Sequence, residues 1–321
     1  MTYSVIIPAR NEALTIADCV GSVLECGRFA PLVEVIVCDH GSTDGTAEAA
    51  SCAGARVVEV APSEVKTIAA VRNLGARLAT GDVLVFLDAD MLVPKDWLEK
   101  AHEHYQKGFN GLLGFVYKVP DTAGRIGKAW GNRLYDRRVR VVDASYLPSC
   151  NLFVPRELFG SLGGFDEHLA TAEDKDLTLR ALARGVRALS SPETHPVHLG
   201  YERDLAEFIR KEFWRQSDTL ALLRRPGLFR RALRNPALSA FHLLAPLAAM
   251  LFFVLGHSWA GAFTLAVWPL PSAILAARLA GLFQPMFPLF YFLTFLRWTV
   301  SGVALCRQIF LALKKVFGQN K

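Results

Sequence analysis

The sequence predicts an α/β domain, built on a mixed and mostly parallel sheet with flanking helices, followed by a C-terminal membrane region of apolar helices. Three observations predict it. Short β-branched runs alternate with helical stretches over the first 120 residues. Polar residues gather directly after the predicted strand ends, and residues 235–277 contain no Lys, Arg, Asp or Glu at all. Hydrophobic residues make up 52% and charged residues 21% of the 321, which excludes a disordered chain and suits a globular protein that also touches lipid.

Residues 4–7 read as a buried strand ended by Pro8, with a helix over 12–26. A second strand over 34–38 precedes a helix over 46–53, and a third over 56–60 precedes a helix over 65–79. A fourth strand spans 83–87, and 95–107 is helical again. Short apolar strands separated by helices imply parallel pairing with both faces covered. Right-handed crossovers then line the post-strand loops along one edge, where open α/β sheets bind ligands. From 110 to 200 the pattern is mixed, with strands near 111–118 and 151–154 and a helix over 173–184 that stops at Gly185. No Pro-, Gly- or Ser-rich linker interrupts it, so 1–200 is expected to be one catalytic domain.

Residues 201–235 read as an amphipathic, basic juxtamembrane segment. Arg224, Arg225, Arg230, Arg231 and Arg234 have no acid among them and stand just before the longest apolar tract. That placement favours a membrane surface over nucleic acid, whose fold motifs are lacking. Within the membrane region 236–321, Gly256-His257-Ser258 divides an expected hairpin into 237–256 and 259–277. Each arm is close to the roughly 20 residues that cross a bilayer core, and a buried soluble helix pair is the alternative. Pro246, Pro269 and Pro271 are expected to kink it, which membrane helices tolerate. Residues 286–313 carry Arg297 and Arg307, and Arg297, Ser301, Ala304, Gln308 and Lys315 form a narrow polar stripe. An interfacial helix fits that stripe better than a third span. The positive-inside bias then puts both termini in the cytoplasm, with two crossings. The N-terminus lacks a secretory leader, and the six scattered cysteines are expected as buried reduced thiols.

Three acidic signals carry the chemistry. Asp88-Ala89-Asp90 follows the fourth strand, and two carboxylates so spaced suit a hard divalent cation and the diphosphate it neutralises. Asp39 ends the second strand ahead of Gly-Ser-Thr-Asp-Gly; it reads as an acceptor for a nucleobase edge, or as turn and cap chemistry, or as both. Glu173-Asp174 opens a helix, where a carboxylate is either a cap or a base for an attacking hydroxyl. No GxGxxG and no GxxxxGK[ST] follows any strand, against dinucleotide and P-loop chemistry.

In order along the chain, Ser4-Val-Ile-Ile-Pro-Ala-Arg-Asn-Glu12, Asp39-His-Gly-Ser-Thr-Asp-Gly-Thr46 and Arg72-Asn73-Leu74-Gly75 are followed by Gly81-Asp82, Asp88-Ala-Asp90, Gly164-Phe-Asp166 and Glu173-Asp174. This set resembles glycosyltransferase family 2, with the GT-A fold. The resemblance implies an inverting, metal-dependent transfer from a UDP or GDP sugar. It places Pro8, Arg10, Glu12 and Asp39 around the base, Asp88 near the ribose, Asp90 on Mg2+ or Mn2+, and Asp174 as general base. Arg72 would help hold the nucleotide or phosphate. His40 stands where the family often has a second Asp. His198 resembles an additional metal ligand, though a lone His is more often simply hydrogen-bonded. Residues 213–216 (Phe-Trp-Arg-Gln) resemble a segment closing over product, or read as an interfacial helix. The expected function is transfer to a hydroxyl acceptor, lipid-linked or in surface glycan synthesis, by a multi-pass protein facing the cytoplasm. A polyprenyl-phosphate sugar synthase and a silent nucleotide-sugar binder are the alternatives.

Overall fold

Tyr3, Val5 and Ile7 on one side of the first strand, and Ser4 and Ile6 on the other, are all completely buried. A strand without a wet face must be covered twice, and the computed structural model shows how. It describes residues 1–28, 30–132, 140–223, 232–280 and 285–318. The chain forms two compact units, Met1–Asp121 with Arg138–Tyr201, and Thr122–Arg137 with Glu202–Lys321. Residues 122–137, expected within the first domain, therefore group with the C-terminal unit.

In the first unit, β1 (Tyr3–Ala9), β2 (Leu32–Asp39), β3 (Arg56–Glu59) and β4 (Val83–Leu87) run parallel in the order β3-β2-β1-β4. The sheet continues through β8 (Asn151–Pro155), β6 (Leu112–Phe115), β9 (Ala188–Ser191) and β7 (Val142–Asp143), where antiparallel pairs enter. A separate ribbon pairs β5 (Met91–Leu92) with β10 (Val197–His198). Val5, Ile7, Val37, Val85 and Leu87 face α1 (Ile16–Cys26) and α4 (Trp97–Gln106). Ile6, Ile36, Leu84 and Phe86 face α3 (Ile68–Leu78), α6 (Arg156–Leu162) and α7 (Glu173–Ala183). Each such fully buried side chain contributes about 1.5–3 kcal/mol. The strand alternation thus sets the register that brings the ends of β1, β2 and β4 to one edge.

Element ends differ from the sequence reading for local reasons. Residues 12–15 form a turn, so the first helix begins only at Ile16. The third helix begins at Ile68, where the Thr67 hydroxyl accepts from the Ala70 N–H and caps it. The two-residue strands β5 and β10 were too short to leave a periodic signal. Cys52 and Cys306 are exposed, against the expectation that every thiol is buried; all six cysteines are free.

In the second unit, three stretches are long and apolar enough to cross a membrane: Arg234–Val254, Ser258–Leu279 and Phe287–Lys314, with mean hydropathies of 2.0, 1.5 and 1.5. The chain is a multi-pass membrane protein on this composition. Gly256, at φ +78°, turns the chain between the first two stretches. The second is broken into Ser258–Val267 and Leu270–Ala280 around Pro269, one of the three prolines expected to kink the hairpin, whereas Pro246 lies inside the continuous helix Arg234–Val254. The polar stripe on the last helix meets protein. Arg297 pairs with Glu212, and the Gln308 side chain accepts from the Leu220 N–H at 2.9 Å. The sequence alone gave that stripe to lipid headgroups. Of the juxtamembrane arginines, Arg224, Arg225, Arg230 and Arg231 lie outside the described residues.

Candidate active site

Two loops at the sheet edge are laced together before any ligand is considered. Asn11, in the left-handed region at φ 57°, donates its N–H to the Ser42 hydroxyl at 2.9 Å and accepts from the Thr43 N–H at 2.9 Å. Glu12 N–H reaches the Thr46 hydroxyl at 2.8 Å, and Ala13 N–H reaches Asp44 at 3.1 Å. Hence Ser42, Thr43, Asp44 and Thr46 fix the backbone that presents Arg10 and Glu12. Pro8 is buried within β1, whereas Arg10 is exposed just past its end. Asp39 is buried, and both its oxygens accept from Ser42, one from the backbone N–H at 3.1 Å and the other from the hydroxyl. His40 turns away, its Nε2 donating to the Val65 carbonyl at 2.6 Å.

Past β4, Asp88, Asp90 and His198 each offer a ligand atom within 4.8 Å of the others, a cluster that could hold a metal ion. His198 Nε2 stands 3.3 Å from Asp90 Oδ1, and Tyr117 meets the His198 ring edge-on at 5.3 Å. The β5–β10 ribbon brings them together: His198 pairs with Met91, immediately after Asp90. A Cβ on Gly200 would lie 1.9 Å from Asp90 Oδ2, so a larger residue there would displace that carboxylate. Two hard carboxylates with one imidazole fit Mg2+ or Mn2+. The surroundings demand positive charge as well. Burial, then the charge of Asp90, raises the Glu12 carboxyl above its ordinary range.

Arg72 sits between this cluster and α7. Completely enclosed, it gives one terminal nitrogen to Asp88 at 2.7 Å and the other to Glu173 at 2.6 Å. Its two terminal nitrogens meet carboxylates of the protein, and its buried Nε has no hydrogen-bond partner among the described residues. Its neighbour Asn73 binds both backbone groups of Phe165, at 2.9 and 3.0 Å. The Arg-Asn pair therefore fixes the chain leading into α7 from two sides.

Asp174 is the second residue of α7, which opens at Glu173 directly after Ala172, held in the left-handed region at φ 62°. A non-glycine residue there is strained, and such strain collects at functional sites. The carboxylate accepts from the Tyr146 hydroxyl at 2.7 Å, the Ser149 N–H at 3.3 Å and the Lys175 N–H at 2.6 Å. Burial raises its pKa despite these bonds and the nearby Arg72. Burial and the Asp174 charge likewise raise Glu173. Tyr146, Ser149, Asn73 and Gly200 were missed by sequence reasoning as parts of the site. Two of them had a visible cue: Asn73 stands in the Arg72-Asn73-Leu74-Gly75 run, and Gly200 lies two residues after His198.

Residues 4–162 match the family described as glycosyl transferase family 2. The chain is 29% identical over 217 residues to the glycosyltransferase AglE of Haloferax volcanii, covering 65% of this chain and 70% of that protein. It is 36% identical over 191 residues to the glucosyl-3-phosphoglycerate synthase of Mycolicibacterium smegmatis, covering 53% of this chain and 58% of that one. The mannosyltransferase PcManGT from Pyrobaculum calidifontis, solved with GDP-Man and Mn2+, shares the fold at a TM-score of 0.61 and 23% identity, over 94% of this chain and 86% of its own.

Proposed function

We propose, for a chain that belongs to glycosyl transferase family 2, a metal-dependent inverting transfer from a nucleotide-diphosphate sugar to a hydroxyl acceptor. One observation carries the reading: Arg72 bridges Asp88, part of a metal-competent cluster with Asp90 and His198, to Glu173, the immediate neighbour of a half-buried Asp174 whose pKa is raised by desolvation. Arg10, Glu12 and Asp39 border the edge where the nucleotide lies, as in the open α/β sheets generally. Asp90 and His198, with Asp88 beside them, are the residues that hold Mg2+ or Mn2+. When bound, the ion neutralises the diphosphate leaving group. The GDP-Man and Mn2+ in the PcManGT complex support this donor class.

Asp174 takes the proton of the acceptor hydroxyl as its oxygen bonds the anomeric carbon. The sugar–phosphate bond breaks, the nucleoside diphosphate leaves with the electron pair, and attack from the opposite face inverts the anomeric centre. Tyr146 and the Ser149 N–H hold one carboxylate oxygen in place for this step. The raised pKa makes Asp174 a stronger base than an ordinary aspartate. A phosphate acceptor is already ionised and needs no such base, so Asp174 favours a hydroxyl. The apolar helices support an acceptor carried on lipid, and the arginines at 224–234 ahead of the first of them support a catalytic unit on the cytoplasmic side. Incubating membranes with a panel of UDP and GDP sugars, and following nucleotide release and new glycolipids by mass spectrometry, tests this. Nucleotide release equal to that of an Asp174→Asn membrane for every donor would overturn it.

A further inference from the structure

The helix Leu205–Arg215 is built inside out for a helix that borders water. Its inner face is ionic and its outer face apolar. Inward, Glu212 is 2% exposed and shares its carboxylate between Arg215 at 2.7 Å and Arg297 at 3.3 Å. Glu202, just before the helix, pairs with the same Arg215 at 2.7 Å. Glu207 is also buried, held by Lys211 at 3.1 Å. Phe208 fills the one apolar gap, against Trp130, Phe290 and Leu293. Outward, Leu205 is 37%, Ile209 38% and Trp214 56% exposed, all within one helix of three turns.

A helix in water turns its charges out and its Leu, Ile and Trp in, because each apolar group left wet forgoes its transfer free energy. Here the charges are neutralised internally and the apolar side chains are left outside. Arg203 and Arg210 are exposed beside them, and the following sequence adds Arg224, Arg225, Arg230, Arg231 and Arg234 without an intervening acid from 219 on. Apolar side chains flanked by arginine suit one environment, the boundary between headgroups and acyl chains. In the same unit this helix leads toward Arg234–Val254, whose Leu244, Leu247, Met250 and Leu251 are exposed in the manner of a lipid-facing surface.

We propose that the outer face of Leu205–Arg215 is a docking surface for an anionic bilayer, with Leu205, Ile209 and Trp214 in the acyl boundary and Arg203 and Arg210 on acidic headgroups. The last helix follows from it. Arg297 and Gln308 are bound to this segment, so the stretch of Phe287–Gly318 between them is held along the same boundary.

The test uses the full chain with Ile209→Cys carrying an NBD fluorophore, and Cys52 and Cys306 replaced by Ser. Reconstituted in nanodiscs of phosphatidylcholine with phosphatidylglycerol, the probe should emit blue-shifted. It should be quenched by spin-labelled lipid and shielded from iodide. Removing phosphatidylglycerol, or introducing Arg203→Gln with Arg210→Gln, should weaken all three signatures. Water-like emission with free iodide quenching overturns the proposal. So does a probe shielded from both quenchers in discs holding two copies, which assigns the face to a second copy of the chain. A response indifferent to phosphatidylglycerol and to the arginine changes overturns the anionic assignment. The same measurement at Trp214→Cys guards against a local effect of the first label.

Discussion

Replacing Asp174 with Asn separates basicity from geometry, because the structure leaves room for the amide. The Tyr146 hydroxyl donates to Asp174 at 2.7 Å, but a hydroxyl rotates and accepts equally well from an amide NH2. The amide oxygen can then accept from the Lys175 N–H, now at 2.6 Å from the carboxylate, and only the Ser149 N–H, a 3.3 Å donor to the same oxygen as Tyr146, loses its acceptor. Arg72 loses only a secondary attraction, since its direct partners are Asp88 and Glu173. The fold and the nucleotide site should therefore persist, while the group that takes the proton is gone. Loss of a general base costs about 10² to 10⁴ in rate, or about 2.7–5.4 kcal/mol of activation free energy. The assay is sugar transfer at saturating donor beside calorimetric nucleotide affinity. Transfer within tenfold of wild type, with affinity unchanged, refutes the assignment of Asp174.

In the wild type, transfer requires the ionised carboxylate, and burial raises its pKa, so the acid limb of the rate profile should lie above the usual aspartate value of about 3.9. Tyr146→Phe removes a hydrogen bond that favours the ionised form, so the limb should move to higher pH with donor KM unchanged; an unmoved limb removes Tyr146 from the mechanism. Asp90→Ala should weaken nucleotide binding measured with Mn2+, and EDTA should do the same to the wild type; equal affinity in all three states would sink the metal assignment. Gly200→Ala should lose Mn2+ affinity through displacement of Asp90, and retained affinity would contradict the 1.9 Å approach. Arg72→Met should lower stability by about 3–5 kcal/mol, as removal of one partner leaves a buried charge unpaired; a urea midpoint shift equivalent to under about 1 kcal/mol would refute the clamp.

The sheet was legible because β1, β2 and β4 carry unbroken apolar runs, Val5–Ala9, Val35–Cys38 and Val83–Leu87, which call for a strand covered on both faces. The acidic residues at those ends were legible for the same reason, since the fold brings successive strand ends to one edge. Arg72 was not. Its place inside α3 gave no cue that its partners are Asp88, sixteen residues on, and Glu173, a hundred and one residues on. Long-range pairing of side chains leaves no periodicity. Nor did Tyr146, which lies in an irregular stretch and reaches Asp174 only through tertiary folding.

Arg297 shows why the membrane region was harder. From sequence, a charge in an apolar stretch faces either lipid headgroups or an energetic cost of about 2.5–3.5 kcal/mol at a helix centre. The structure supplies another course: Glu212 at 3.3 Å, with the guanidinium over Trp298 at 4.8 Å and Trp130 at 5.6 Å. The cost of the charge therefore no longer decides whether this helix crosses. What decides is where Glu212 lies. On the boundary placement proposed above, the helix bearing Glu207, Arg210, Lys211 and Glu212 would stay out of the bilayer core, and so would the part of the last helix bound along it. Two crossings then leave both termini on the same side, and a membrane-impermeant reagent on intact cells should reach a cysteine placed at Ser258 but not a tag at residue 321. An externally accessible tag would mean that the Arg297–Glu212 contact does not hold these helices together in the bilayer.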